Sequence, residues 1–367
     1  MDLFNNLIKK RIRELERVNN TFENRFDYLR FEKNERLCNF DGELFKKFIK
    51  SIKAEYLSGY PSIEGTYKKI SSHLGIERNQ IFIAAGSDLA IKSIYEACIN
   101  ENDKIILPSY CYAMYDVYSK MFGANAVSVD ITDDWNFDID KMIDEVDDTT
   151  KLFVLENPSG TFGGKLSLED ISRCAKFLRD RGVLFLIDEA YSKNSKVNLS
   201  ISNFIEEFPN VIISRSFSKF CGLAGLRVGF LVGSKYLIEN ISKVRPMHEI
   251  TSISALAVEW ILDYPELINE YCEVLNVSKK YLEEHFFDLK IGYRDSDANF
   301  IFAYLPDNGR TKKMIDKLKK CKILLKHPFK KGCLKGWVRM TVGTIEDSKR
   351  LIKEIRNQIE KIEKNES

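Results

Sequence analysis

The sequence predicts an α/β protein with a mostly parallel sheet and helices on both faces, and three observations predict it. Short apolar runs of buried-strand length recur at Lys104–Leu107, Lys151–Leu155, Val183–Ile187 and Val211–Ile213. Helical segments such as Leu168–Arg179 alternate with them, and that alternation builds parallel sheets. Polar or glycine-containing stretches follow the runs, at the strand ends where such sheets bind ligands. A chain of 367 residues is long enough for two domains. We assign 1–35 to an N-terminal arm, 36–265 to a large domain and 266–367 to a smaller α+β domain.

Composition narrows the function. A hydrophobic fraction of 44% and a charged fraction of 30% belong to an ordinary globular chain. A net charge of +2 gives no reason to expect nucleic acid or an anionic membrane as partner. Eight cysteines without a C-x-x-C pair suit free thiols in a reducing compartment. Four histidines without ligand spacing argue against a metal site. No apolar run has membrane-spanning length, and Met1-Asp2 opens a charged segment unlike a signal peptide. Together these point to a cytoplasmic enzyme.

In chain order, residues 3–18 have amphipathic helical spacing. Acidic residues interrupt the basic face, so we read an arm packed on its own or a partner subunit in preference to a membrane-surface helix. A helix over 43–57 ends at Gly59-Tyr60-Pro61, and Glu64–Leu74 is a second. The strand Gln80–Ala85 leads through Gly86-Ser87-Asp88 into the helix Leu89–Ile99. Such a turn makes an anion site from backbone N–H groups and the helix dipole; Ser87 and Asp88 can also cap the helix. The strand Lys104–Leu107 ends in a tyrosine cluster, from which an aromatic ring can stack on a ligand; Tyr110 and Tyr112 are candidates. Asn157 follows the strand Lys151–Leu155, and Asp188 ends Val183–Ile187 with Tyr191 three residues on. Beyond Gly233 helices dominate, at Tyr236–Val244, Ile253–Leu262 and Pro265–Phe287. Strands follow at Cys321–Lys326 and Gly336–Thr344, with a closing helix over 345–364. Arg339 lies among apolar neighbours and needs an anionic partner.

The richest stretch is Ile213–Phe230. Ser216, Ser218 and Arg227 can hold a phosphate by hydroxyls and a guanidinium fork. Lys219 lies beside that site between Phe217 and Phe220, a setting that frees an amine for Schiff-base chemistry. Its glycines do not form G-x-G-x-x-G, so a dinucleotide loop is rejected.

Ser216-Phe217-Ser218-Lys219, then Gly222-Leu223-Ala224-Gly225-Leu226-Arg227-Val228-Gly229, resembles the lysine signature of fold-type I pyridoxal-phosphate (PLP) enzymes, nearest the histidinol-phosphate aminotransferase branch. Asp188-Glu189-Ala190-Tyr191, Gly86-Ser87-Asp88 and Asn157-Pro158 extend the resemblance over roughly residues 28 to 360. It implies a seven-stranded sheet and pyridoxal 5'-phosphate as cofactor. By it Lys219 carries the cofactor, Asp188 pairs with the ring nitrogen, and Tyr191 and Asn157 reach the ring oxygen. Tyr112 stacks, and Gly86, Ser87, Asp88, Ser216, Ser218 and Arg227 hold the phosphate. Tyr60 crosses a homodimer interface to the other subunit's phosphate. Asn34 lies over the site, Arg339 binds a substrate carboxylate, and Lys326 stands where close relatives have a second arginine. Arg36 follows Asn34-Glu35 in place of the usual aromatic or proline, which brings a positive charge toward the substrate or to a solvated rim. The loop after Pro158 also departs from the family pattern.

The leading reading is an aminotransferase acting on an amino acid and a small phosphorylated partner. The alternative is a PLP decarboxylase of a phosphorylated amino acid, which shares every cofactor contact. A non-catalytic binding relative is disfavoured because Lys219 and Asp188 are both present.

Overall fold

The computed structural model describes residues 7–16, 24–193, 201–305 and 309–364. Among the described residues twelve strands occur in chain order. They are β1 (Leu29–Arg30), β2 (Ile81–Ala84), β3 (Lys104–Pro108), β4 (Asn125–Val129), β5 (Thr150–Glu156), β6 (Leu184–Asp188), β7 (Val211–Ser216), β8 (Gly229–Gly233), β9 (Tyr293–Arg294), β10 (Phe300–Tyr304), β11 (Ile323–Leu324) and β12 (Trp337–Thr341). Seven make one sheet in the order β2-β8-β7-β6-β5-β3-β4. Its pairs are parallel except that β8 runs antiparallel to both neighbours.

The central strands are continuous apolar runs because both faces are covered. Phe153, Leu155, Phe185 and Ile187 pack into one core, and Leu152, Val154, Leu184 and Leu186 into another. The period of two assigns alternate residues to opposite faces. The helix Leu168–Arg179 shows how a covering element forms. Ser167 caps it by accepting from the Asp170 N–H at 3.0 Å, and Ile171, Cys174, Ala175 and Leu178 bury one stripe.

A smaller antiparallel sheet, β12-β10-β9, lies in the C-terminal part, and its Phe300, Phe302, Val338 and Met340 join the first core. The N-terminal segment is threaded into this part. β1 pairs in parallel with β11, the Phe31 N–H donates to Leu324 O at 3.0 Å, and the Thr341 N–H donates to Phe31 O at 2.8 Å. The backbone bonds of β1 are satisfied on residues some three hundred positions away, and Phe31 is fully buried.

Several expectations need correction. The helix expected over 43–57 is two, Gly42–Ser51 and Glu55–Ser58, because Ile52 is extended. The strand expected over Cys321–Lys326 pairs only at Ile323–Leu324, since β1 offers just two residues. The edge strand β4 was missed, being half-exposed and without an apolar run. The helix expected over 3–18 is described only at Lys10–Arg13, and its first and last residues lie outside the described residues. All eight cysteines are free thiols. Among the described residues no helix is long and apolar enough to cross a membrane.

Candidate active site

Sheet direction gathers the polar residues. β3, β5, β6 and β7 run parallel, so their C-terminal ends lie along one edge. β8 runs the other way, so what precedes it comes to that edge. Register makes the row explicit: Ala84 pairs with Gly229, Gly229 with Ser216, Ser214 with Asp188, and Asp188 with Glu156.

At one end of the row is a glycine-lined cradle. The helix Gly86–Cys98 begins beside Gly229, so close that a Cβ on Gly229 would lie 2.1 Å from the Ser87 nitrogen. Gly86 has φ +87°, and a Cβ there would lie 2.6 Å from Arg227 Nη2. Only glycine permits either approach. The expectation that Ser87 and Asp88 cap the helix is corrected. Ala85 is the N-cap without a side-chain bond, and Asp88 Oδ1 instead accepts from Tyr118 OH at 2.8 Å. No side chain caps this helix start, which lies beside the Arg227 guanidinium. Ser216 Oγ accepts from the Ser218 N–H at 3.1 Å, folding the serine loop at the end of β7 onto the same edge.

The centre of the row is acidic and dry. Asp188, 6% exposed, accepts from Tyr115 OH at 2.7 Å and from the Ala190 N–H at 3.0 Å. Burial pushes its pKa up, against the pull of these bonds and of Lys219. Glu156, 3% exposed, accepts from the Tyr112 N–H, from the Gly160 N–H at 2.8 Å and from Ser159 Oγ at 3.2 Å. Burial first, then the Asp188 charge, pushes it up to about 7. Lys219 Nζ lies 5.1 Å from the Tyr191 ring centroid and donates to Lys33 O at 3.2 Å. Asn34 is buried with φ 55°, and its Nδ2 donates to Tyr191 OH at 3.1 Å. Asn157 Oδ1 accepts from the Leu166 N–H at 3.0 Å.

The far wall is basic. Arg339 Nη1 donates to Gly160 O, its guanidinium lies 5.3 Å from the Phe300 ring centroid, and its Nε is buried without a partner. Burial, then the charges of Arg339, Lys219 and Lys33, pulls the Lys326 ammonium down to about 8.

Two expected residues stand apart. Arg36, expected toward the substrate or at a solvated rim, packs its guanidinium 4.3 Å from the Phe40 and 4.8 Å from the Tyr271 ring centroid. Its Nη1 donates to Leu267 O at 3.0 Å, so it ties the segment just after the arm to the helix Glu266–Asp288. Tyr60 is 86% exposed and stacks on His248 at 4.4 Å. A groove of about 610 Å³ runs from its neighbours Gly59 and Pro61 to Arg227. Between the tyrosine candidates, the Tyr112 N–H donates to the Glu156 carboxylate, whereas Tyr110 OH donates to Lys331 O at 2.9 Å.

Sequence reasoning missed Tyr115, Glu156 and the Lys33 carbonyl. Glu156 carried a signal, a charge closing an apolar strand, the same one that marks Asp188. Tyr115 and Lys33 carried none, since their contacts join distant segments.

The chain belongs to the aminotransferase class I and II family, whose model matches residues 43–355. It is similar to a histidinol-phosphate aminotransferase of Clostridium novyi (strain NT), 27% identical over 87% of this chain and 88% of the relative. One from Clostridium kluyveri is 28% identical over 89% and 92%. Among solved structures, histidinol-phosphate aminotransferase from Sinorhizobium meliloti in complex with pyridoxal-5'-phosphate superposes with a TM-score of 0.85 at 20% identity, covering 97% of this chain and 98% of that one.

The acidic centre predicts a pH response. Glu156 binds a proton in the folded chain up to a pH of about 7, against 4.5 ordinarily, so its contribution is full below 4.5 and is lost as pH rises through 7. Denaturant titration of the cofactor-free protein at pH 5 and 8 is expected to show a loss from this group of about 3 kcal/mol, which Glu156→Gln removes. An identical slope in the two proteins contradicts the assignment.

Proposed function

We propose that the chain is a pyridoxal 5'-phosphate-dependent aminotransferase exchanging an amino group between an amino acid and a phosphorylated substrate of the histidinol-phosphate type. The observation that carries this is the gathering on one sheet edge of Lys219, the buried Asp188 and a glycine-lined helix start beside Arg227. The named relatives support the substrate. The cofactor fits these residues: the cradle suits a phosphate, and a buried carboxylate suits a cationic ring nitrogen.

When bound, pyridoxal 5'-phosphate supplies an electron sink for bond breaking at the amino acid's Cα. Lys219 is the residue that would hold it, and the Lys219 Nζ, once released, moves the proton at Cα. Asp188 offsets the ring-nitrogen charge while Tyr115 holds the carboxylate in place. Tyr191 and Asn157 donate toward the ring oxygen, and Asn34 positions Tyr191. Tyr112 offers a stacking face. The first-turn N–H groups of Gly86, Ser87 and Asp88, with Ser216, Ser218 and Arg227, hold the phosphate. Arg339, its fork half-engaged by Gly160 O, binds the donor carboxylate, and Lys326 meets a phosphate as a point charge. The division into an arm (1–35), a large domain (36–265) and a small domain (266–367) belongs to this reading, as does a cytoplasmic setting, supported by the eight free thiols.

Incubation with L-glutamate and the keto form of histidinol phosphate is expected to yield 2-oxoglutarate without carbon dioxide. Arg339→Gln is expected to raise KM for glutamate by about a hundredfold, the loss of a charge-assisted pair. Carbon dioxide release without a keto product would defeat the aminotransferase assignment in favour of the decarboxylase, to which no observed contact lends weight.

We propose further that the enzyme is a homodimer in which the exposed Tyr60 of each subunit completes the partner's phosphate site. Sedimentation is expected to give twice the chain mass, and Tyr60→Phe to weaken pyridoxal 5'-phosphate binding at unchanged thermal stability. A fully active monomer is the contrary result.

A further inference from the structure

We propose that Glu156 is a positioning residue whose carboxylate ties the loop after β3, which carries Tyr112, to the loop after β5, which carries Gly160, and so fixes the spacing between two walls of the site. Nothing in the cofactor roles above uses Glu156. It closes β5 opposite Asp188 and is almost wholly buried. A carboxylate in so dry a place costs stability unless its oxygens are occupied. They are: Oε1 accepts from the Tyr112 N–H, and Oε2 from the Gly160 N–H at 2.8 Å and Ser159 Oγ at 3.2 Å. The donors come from two loops separated by more than forty residues.

The tie reaches both functional walls. On one side it holds the backbone of Tyr112. On the other it holds Gly160, whose carbonyl accepts from Arg339 Nη1 and whose Cα packs against Tyr191 so tightly that a Cβ would lie 2.3 Å from Tyr191 Cε2. A displaced Gly160 therefore moves Arg339 and Tyr191 together. Once ionised, above a pH of about 7, the Glu156 carboxylate accepts at both oxygens, whereas the glutamine amide has one acceptor and turns an N–H₂ donor toward one of the two loops.

The roles of the two walls rest on the proposed function, but the tie does not, so the test uses cofactor-free protein. Amide hydrogen exchange is compared at pH 8, where Glu156 is ionised, between wild type and Glu156→Gln over residues 110–113 and 159–163, with the helix Leu168–Arg179 as internal control. Exchange is expected to rise at least about tenfold in both loops and to stay unchanged in the helix. After reconstitution, pyridoxal 5'-phosphate is expected to bind about tenfold more weakly, and KM for the amino donor to rise more than kcat falls. Glu156→Asp keeps the charge but is one methylene shorter, and is expected to loosen at least one loop should the glutamine variant not fold. Wild-type protection of both loops in a folded variant overturns the tie. Wild-type protein that binds no pyridoxal 5'-phosphate overturns the proposed function and leaves the exchange comparison intact.

Discussion

The burial of Asp188 at the end of β6 is the constraint on which the site depends. An ionised carboxylate taken out of water loses far more than a single hydrogen bond returns. Tyr115 OH and the Ala190 N–H offset part of that loss, and the strands on either side keep solvent away. The remainder persists as a raised pKa, which a cation brought by a ligand would reverse. Glu156, one strand over, adds a second buried carboxylate and makes the edge still more demanding.

Everything else at the edge is arranged around that carboxylate by sheet direction. The antiparallel entry of β8 lets Arg227 precede its strand and still reach the place where its neighbours end. The C-terminal part contributes from the opposite side, through Arg339 of β12. The two parts share one core, and the threaded segment Leu29–Asn34 fastens them, bringing the Lys33 carbonyl to Lys219 and Asn34 to Tyr191. Asn34 is bonded on several sides: its N–H donates to Thr341 Oγ1 at 2.8 Å, and its carbonyl accepts from Asn299 Nδ2 at 3.1 Å. Its buried bonds hold the Tyr191 hydroxyl, through rigid elements, in one place.

The alternating elements were legible because buried parallel strands are apolar on both faces and leave unmistakable runs, as at Val183–Ile187. Asp188 and Lys219 were legible because each stands just after such a run in a short local motif. Arg36 carried no local signal because its capture between Phe40 and Tyr271 depends on a helix more than two hundred residues away. Tyr115 was passed over for the same reason: its bond to Asp188 depends on which strands become neighbours. The capping expectation for Ser87 and Asp88 failed because Gly86, with positive φ, starts the helix three residues before the expected Leu89.

The central claim is that Lys219 is the amine that bonds the cofactor. Borohydride reduction of the protein loaded with pyridoxal 5'-phosphate, followed by peptide mass mapping, tests it most directly. A single stoichiometric label on Lys219 is the expected result. A label on another lysine, or none, would contradict the account.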